Sequence, residues 1–468
     1  LKYTHKDFSM FSILERGIAK GERSGAEYVE LRAEDTALTL IGYSDGRVDN
    51  LNSKVQTGVA CRVLSNGAWG FACGSIDDTE SVVEKARSLA AVASQTRKDK
   101  IELAEITPVS EDVKKNYGQP PHEISFEEKI SRLETLHDLI KGYDKRITAI
   151  SLRYTDSHGF KYIATSEGTR ISEETGHVWN YCWVTGKENG TLTAARDGVG
   201  STEKGYEYFE EDETAETIAD RVGNRVIMQV EGTNPKNGSF PCVLGPRVVG
   251  VLAHEALGHL AEADLTLNSS FNGKLGKKVA ADFVTMVDAP VKGTFGALKY
   301  DDEGVPMQRV EIIKKGIFTG LLTDREYAHR TGMPTCGSAR AESFLFPTQI
   351  RMRNTFFEEG DYTPEELFEG IDFGYYCVDY RGGQAQLNSS FQVGIQEAFE
   401  IQDGEIGNPT KDLAISGLAT EALFLIQGAG KEVGFEEGYC GKGQTAAVSS
   451  GGPHLRIKKG AILFGGRG

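Results

Sequence analysis

Apolar residues cluster at mixed three- and four-residue spacing over 6 to 23, at Phe8, Phe11, Ile13, Leu14 and Ile18, which predicts a helix. The period then drops to two. "AEYVELRAE", "ALTLIGYS", "VQTGVACRVL" and "GAWGFACG" alternate apolar with polar positions, with "SDG" and "SNG" as turns, and predict a β meander. A helix over about 77 to 95 closes the set, with Asp77 or Asp78 as its cap. The order then returns: a helix near 124 to 142, strands in "ITAISLRYTD", "FKYIATSE", "TRISEETGHVWNYCWVTGK" and "GTLTAARDG" with turns at "SHG", "SEG" and "KENG", and a helix near 213 to 229. No residue-level repeat accompanies this recurrence. The polar segment between the two sets, "KDKIELAEITPVSEDVKKNYGQPPHE", carries three prolines and predicts a long surface excursion.

The turn-rich "EGTNPKNGSFP" at 231 to 241 predicts a boundary, dividing the chain into domains 1–235 and 236–468. Beyond it, short strands such as "VEIIKKGIFTGLLT" and "FQVGIQEAFEIQDGEIG" are separated by Gly and Asp. The expected fold class is α+β. Its N-terminal domain is made of antiparallel β meanders flanked by helices, and its C-terminal domain is β-rich and carries a buried metal-binding helix.

Composition narrows the function. At 39% hydrophobic and 26% charged residues, the chain reads as globular. The 68 acidic against 52 basic residues give a net charge of −16, which repels phosphate backbones and argues against nucleic-acid binding. No apolar run approaches the ~18 to 20 residues of a membrane span, and the start, "LKYTHKDFSMFSILERG", lacks the layout of a secretion signal. Seven scattered cysteines, none in a CxxC pair, read as reduced thiols. A cytoplasmic location without membrane contact is the expectation.

The chemistry concentrates in "GPRVVGVLAHEALGHLAEAD", residues 245 to 264. Gly245 and Pro246 suit a helix start, and Val248, Val249, Val251, Leu252, Leu257 and Leu260 point in several directions, as in a helix buried on most sides. His254 and Glu255 are followed by a second histidine, His259, five residues after the first rather than four. Positions five apart on a regular helix point about 140° apart, so two imidazoles could not share one zinc at bonds of ~2.0 to 2.1 Å. A π-type turn, bonded i to i+5, or a helix break would bring them together. Gly258, directly before His259, is where such distortion is tolerated. A catalytic zinc takes three protein ligands, and spacing leaves Glu262, Asp264, His454 or any cysteine as the third. Cys440 stands out, because glycines on both flanks would let the backbone turn its sulfur toward a metal.

With HExxxHxxE at His254, Glu255, His259 and Glu262, the chain resembles the TldD/PmbA family in its TldD-type, metal-bearing branch. Further matches are "DDEGVP" (301 to 306), "GSARAES" (337 to 343), "RMRNT" (351 to 355), "GGQ" (382 to 384), "EAFEIQDGEI" (397 to 406) and "CGKGQ" (440 to 444). "GVACRVLSNGAWGFA" and "GYEYF" extend the resemblance into the front half, so it is nearly full length. The resemblance implies a zinc peptidase with His254, His259 and Cys440 as ligands and Glu255 as general base. It also implies cleavage of unfolded peptides inside a chamber enclosed by a dimer, either a homodimer or a heterodimer with a metal-free homologue. "CGKGQ" is a residue shorter than in some members, and "SSGGPHL" varies the tail.

Two rival readings are a non-catalytic peptide-binding scaffold and a deformylase-like metal amidase. A nucleotide site is rejected, since neither "GAGKEVG" nor "CGKGQTA" satisfies GxxxxGK[ST]. Glu262, Arg340, Arg353 and Gln384 are left without committed roles, although the last three could orient peptide carbonyls.

Overall fold

The computed structural model describes residues 7 to 466. Lys6, where the first helix was expected to open, and the first residues of the segment read for a secretion signal lie outside that range.

Helix α1 (Asp7–Arg23) buries Phe11 and Leu14 against the strands β1 (Tyr28–Ser44), β2 (Arg47–Ser65) and β3 (Ala68–Gly74), and α2 (Thr79–Ser94) completes the set. Asp78 stands at the N-cap of α2, but its side chain makes no capping bond. After the short strand β4 (Ser110–Val113), the pattern recurs as α3 (Phe126–Tyr143), β5 (Ile147–Thr165), β6 (Arg170–Glu188) and β7 (Thr191–Ser201). The short α4 (Tyr208–Glu211) and then α5 (Ala215–Glu231) follow. Ser125 caps α3 and Thr214 caps α5, each accepting a backbone N–H three residues on. The strands form one sheet in the order β3-β2-β1-β5-β6-β4, with β7 also pairing β6. The two helix–meander–helix sets meet through antiparallel β1 and β5.

Two expectations need correction. "SHG" is no turn: Ser157, His158 and Gly159 lie inside β5, paired with Leu38, Ala37 and Thr36 on one side and with His177, Gly176 and Thr175 on the other. Gly159 is there because a Cβ would fall 2.2 Å from the Asp35 carbonyl oxygen. "AEYVELRAE" and "ALTLIGYS" are likewise one strand, β1. Three of the hairpin turns have a left-handed residue before the glycine, at Asp45-Gly46, Asn66-Gly67 and Asn189-Gly190, and the expected "SEG" turn joins β5 to β6 with Gly168 at φ 102°. The second correction concerns the surface excursion, which supplies β4 as a parallel edge strand beside β6.

From residue 238 onward the chain builds a six-stranded and a nine-stranded sheet. The motif helix contributes Val248, Val249, Leu252, Leu257 and Leu260 to one apolar core, shared with Met286, Ile313 and Phe357 of the smaller sheet and Tyr375, Val393 and Ile415 of the larger. The fold is α+β with predominantly antiparallel sheets, as expected. Buried ions tie the front of the chain to the back: Arg225 of α5 pairs with Asp379 and Glu397, and Arg62 of β2 bridges Glu30 and Glu303. No helix among the described residues is long and apolar enough to cross a membrane.

Candidate metal centre

The motif helix starts at Pro246 behind Gly245, as its sequence predicts, and is regular only to Val251. Leu252–Leu257 form a π turn, and Gly258–Ala261 a 3-10 turn. The break falls on Leu257, at φ −132° and ψ −44°, while Gly258 keeps helical angles. Gly258 is therefore not the hinge. Its missing side chain makes room for Met352, whose sulfur would stand 2.1 Å from an added Cβ. The widened turn returns His259 beneath His254, with ring centroids 5.3 Å apart and planes at 82°.

Cys440 arrives from the strand Gly434–Gly441, which is hairpinned with Thr445–Gly452. Gly250 lets the helix lie directly on that hairpin, since a Cβ there would approach the Gly451 nitrogen to 2.9 Å. The flanking Gly438 and Gly441 are ordinary strand residues, so strand alternation aims the sulfur: Cys440 and Glu436 are buried on one face. Cys440 Sγ lies 3.4 Å from His259 Nε2. Ligand atoms of His254, His259 and Cys440 all lie within 4.8 Å of one another, a spacing that could hold a metal ion.

The electrostatics favour charge on this cluster. Burial pushes the Cys440 thiol up, but attraction to His254 and His259 outweighs it and brings the pKa down to about 5, in the thiolate range. Burial disfavours a charged His259, yet its bonds to Cys440 and Glu262 hold its pKa up at about 10. The Nδ1–H of His259 donates to Glu262 Oε2 at 2.7 Å, and Lys442 Nζ stands 3.2 Å from that same oxygen. Burial raises the Glu262 pKa, but the His259 bond and charge, with Lys442, hold it below the usual carboxylate range. Glu262 thus orients His259 and is not part of the three-residue cluster. His254 is 3% exposed, and among the described residues no group stands at hydrogen-bonding distance and angle from either ring nitrogen. Glu255 has a 41% exposed side chain, with Oε2 4.0 Å from His259 Nε2. With His254 and Cys440 it lines a cleft of about 380 Å³.

The other candidates are occupied elsewhere. Asp264 pairs with Lys442 at 2.7 Å, and His454 Nε2 bonds the Tyr376 hydroxyl at 2.9 Å. Arg340 donates to the carbonyls of Met352 and Ala447, and burial brings its pKa down to about 10. Arg353 is fully buried on Asp288. Gln384 is an exposed strand residue opposite Gln392, outside the cleft lining. Sequence reasoning missed Lys442 and also Arg351, which donates to the carbonyls of Cys440 at 2.6 Å and Gln444 at 2.7 Å and fixes the strand that carries the sulfur. The available signal for Lys442 was a base two residues after the cysteine, in the turn between Gly441 and Thr445 that closes the hairpin.

Three family models cover most of the chain: PmbA/TldA metallopeptidase domain 1 at 29–93, the central domain at 119–230 and the C-terminal domain at 237–463. The chain belongs to the PmbA/TldD metallopeptidase family. It is 34% identical over 451 residues to a zinc metalloprotease TldD homolog of Saccharolobus solfataricus, covering 94% of this chain and 98% of that protein. A metalloprotease of Methanothermobacter thermautotrophicus is 33% identical over 440 residues, 93% of this chain and 95% of its own length. The crystal structure of TldE from Thermococcus kodakarensis shares the fold at a TM-score of 0.78 and 19% identity, over 97% of this chain and 100% of that one. Within this family, the π turn and the three clustered donors belong to the segment matched by the C-terminal model.

Proposed function

We propose that this member of the PmbA/TldD family is a zinc-dependent peptidase acting on unstructured or extended peptides. His254, His259 and Cys440 are the metal ligands, and Glu255 is the general base. The observation that carries this reading is His254: a buried imidazole whose two nitrogens find no hydrogen-bond partner among the described residues, within 4.8 Å of a second imidazole and a thiol. Each unsatisfied buried group costs about 1–3 kcal/mol, and a cation would remove that penalty at one nitrogen. Two nitrogens and a sulfur match a catalytic zinc, which takes three protein ligands and keeps one position open.

When bound, zinc would supply a water of lowered pKa and polarise the scissile carbonyl. The remaining work falls to the chain itself. Glu262 holds the proton on His259 Nδ1, so Nε2, on the side of Cys440, is the nitrogen that would face the ion. Glu255, at the cleft surface, accepts the proton of the attacking water and returns it to the leaving amine. An extended peptide can reach the cleft, whereas a folded domain cannot present its backbone there.

We place ligands and base alike in a C-terminal domain of 236–468, behind an N-terminal domain of 1–235. A dimer closing a chamber over the cleft, with a second copy or a metal-free homologue, is supported by the outer half of β2. Among the described residues, 47 to 57 pair with β1 alone and expose Val48, Leu51 and Val55. Seven free thiols support a cytoplasmic location. A pure scaffold would leave His254 unexplained, and a deformylase-like site uses four-residue spacing.

Stripping the purified protein with a chelator is expected to abolish hydrolysis of an unfolded peptide, and one equivalent of zinc per chain to restore it. Hydrolysis that survives complete metal removal would contradict the reading.

A further inference from the structure

One wall of the cleft comes from the N-terminal sheet rather than from the part that carries the cluster. Arg153 of β5 stands in register beside Tyr181 of β6, and Tyr181 beside Gly198 of β7. Trp179 lies over two glycines of β7: a Cβ on Gly198 or Gly200 would come within 2.7 or 2.8 Å of its ring. The same indole meets Tyr439, the residue before Cys440, edge-on with centroids 5.5 Å apart. Arg153, Tyr181, Trp179 and Tyr439 all line the same cleft as His254, Glu255 and Cys440.

The charges on this wall are not equivalent. Arg196 is committed: it stacks on Tyr380 at 4.5 Å, donates Nε to the Arg381 carbonyl at 2.6 Å and faces Glu436 at 3.6 Å. Arg225 and Arg247, just behind, are held by Asp197 and Asp379. Glu436, Glu437 and Glu255 are the carboxylates lining the cleft, and the charged neighbours of Glu437 include Arg247, Glu436 and Glu213. Arg153 is exposed, and its guanidinium has no ion pair or hydrogen bond among the described residues. A guanidinium beside aromatic faces, next to a candidate metal centre, has the chemistry of a carboxylate receptor with an apolar shelf.

We infer that this wall is a substrate subsite for a peptide carboxylate, with Arg153 as the specificity-determining residue and Trp179 and Tyr181 covering the neighbouring apolar part of the peptide. The inference rests on the peptidase reading only in taking the ligand to be a peptide; it concerns binding, not turnover. The carboxylate is either an acidic side chain or a free C-terminus.

The test is fluorescence anisotropy with full-length, zinc-loaded Glu255→Gln protein and N-terminally labelled, unstructured peptides. One peptide carries an internal Glu and an amidated end, one carries Gln and a free C-terminal carboxylate, and one carries Gln and an amidated end. At least one carboxylate peptide is expected to bind roughly fivefold more tightly than the neutral one, the size of a partly exposed ion pair. Whichever does so identifies the source. Arg153→Gln should erase the difference, and Arg153→Glu should turn it in favour of a Lys-bearing peptide. Equal binding of all three peptides by the parent, or a carboxylate preference unchanged in Arg153→Gln, overturns the inference. Failure of the peptidase reading would look different: wild-type protein that hydrolyses no peptide while the Arg153-dependent preference persists.

Discussion

Glu255→Ala is expected to keep its zinc and lose hydrolysis of an unfolded peptide, with kcat falling about 10²- to 10⁴-fold, the range for removal of a general base. The separation of the two readouts follows from where the side chain sits. The Glu255 side chain is 41% exposed at the cleft, its ion-pair contact among the described residues is with His259 at 4.0 Å, and no hydrogen bond to its carboxylate is present among them. Neither the core nor the donor cluster leans on it, so its loss removes a proton acceptor and little else. Steady-state kinetics on a quenched peptide, with metal analysis of the same sample, checks both halves. Hydrolysis equal to wild type would take the base assignment away from Glu255.

Arg353→Met is expected to lower the unfolding free energy by about 3–5 kcal/mol, because it strands a buried carboxylate. Arg353 and Asp288 are both fully buried, with Nε to Oδ1 at 2.5 Å. Arg353 also donates to the carbonyl of Cys336 at 2.5 Å, and Asp288 further accepts from the Arg353 backbone and from Thr355. Methionine replaces the aliphatic stem but none of the donors. Denaturant titration should show a markedly lower midpoint. If Arg353 instead oriented peptide carbonyls, the midpoint would stay put and KM would rise.

These two residues mark the limits of what the sequence could say. The five-residue histidine spacing in a helix flanked by apolar residues forces a choice between no shared site and a departure from α geometry, and the π turn at Leu252–Leu257 is that departure. Gly258 was visible as an oddity but not its reason, which is the distant Met352. Arg353 in "RMRNT" could not be sorted into site or core, because only tertiary packing brings Asp288 to it. Glu262 lay in plain view three residues after His259, yet spacing does not show that its carboxylate meets that ring; a 2.7 Å bond to Nδ1 does. The error at "SHG" has a similar origin. A glycine in a strand and a glycine in a turn look alike until the neighbouring backbone, here at Asp35, is in place. The alternation in the two meanders depends on local burial alone and was readable.

The central claim is that a π turn and a distant hairpin bring two imidazoles and one thiolate to a single ion. X-ray absorption at the zinc edge of the purified, zinc-loaded protein measures this directly. The account predicts one sulfur and two imidazole nitrogens in the inner shell plus a light oxygen donor, with the sulfur contribution gone in Cys440→Ser. A shell without sulfur in the wild type, or one unchanged by that substitution, would contradict it.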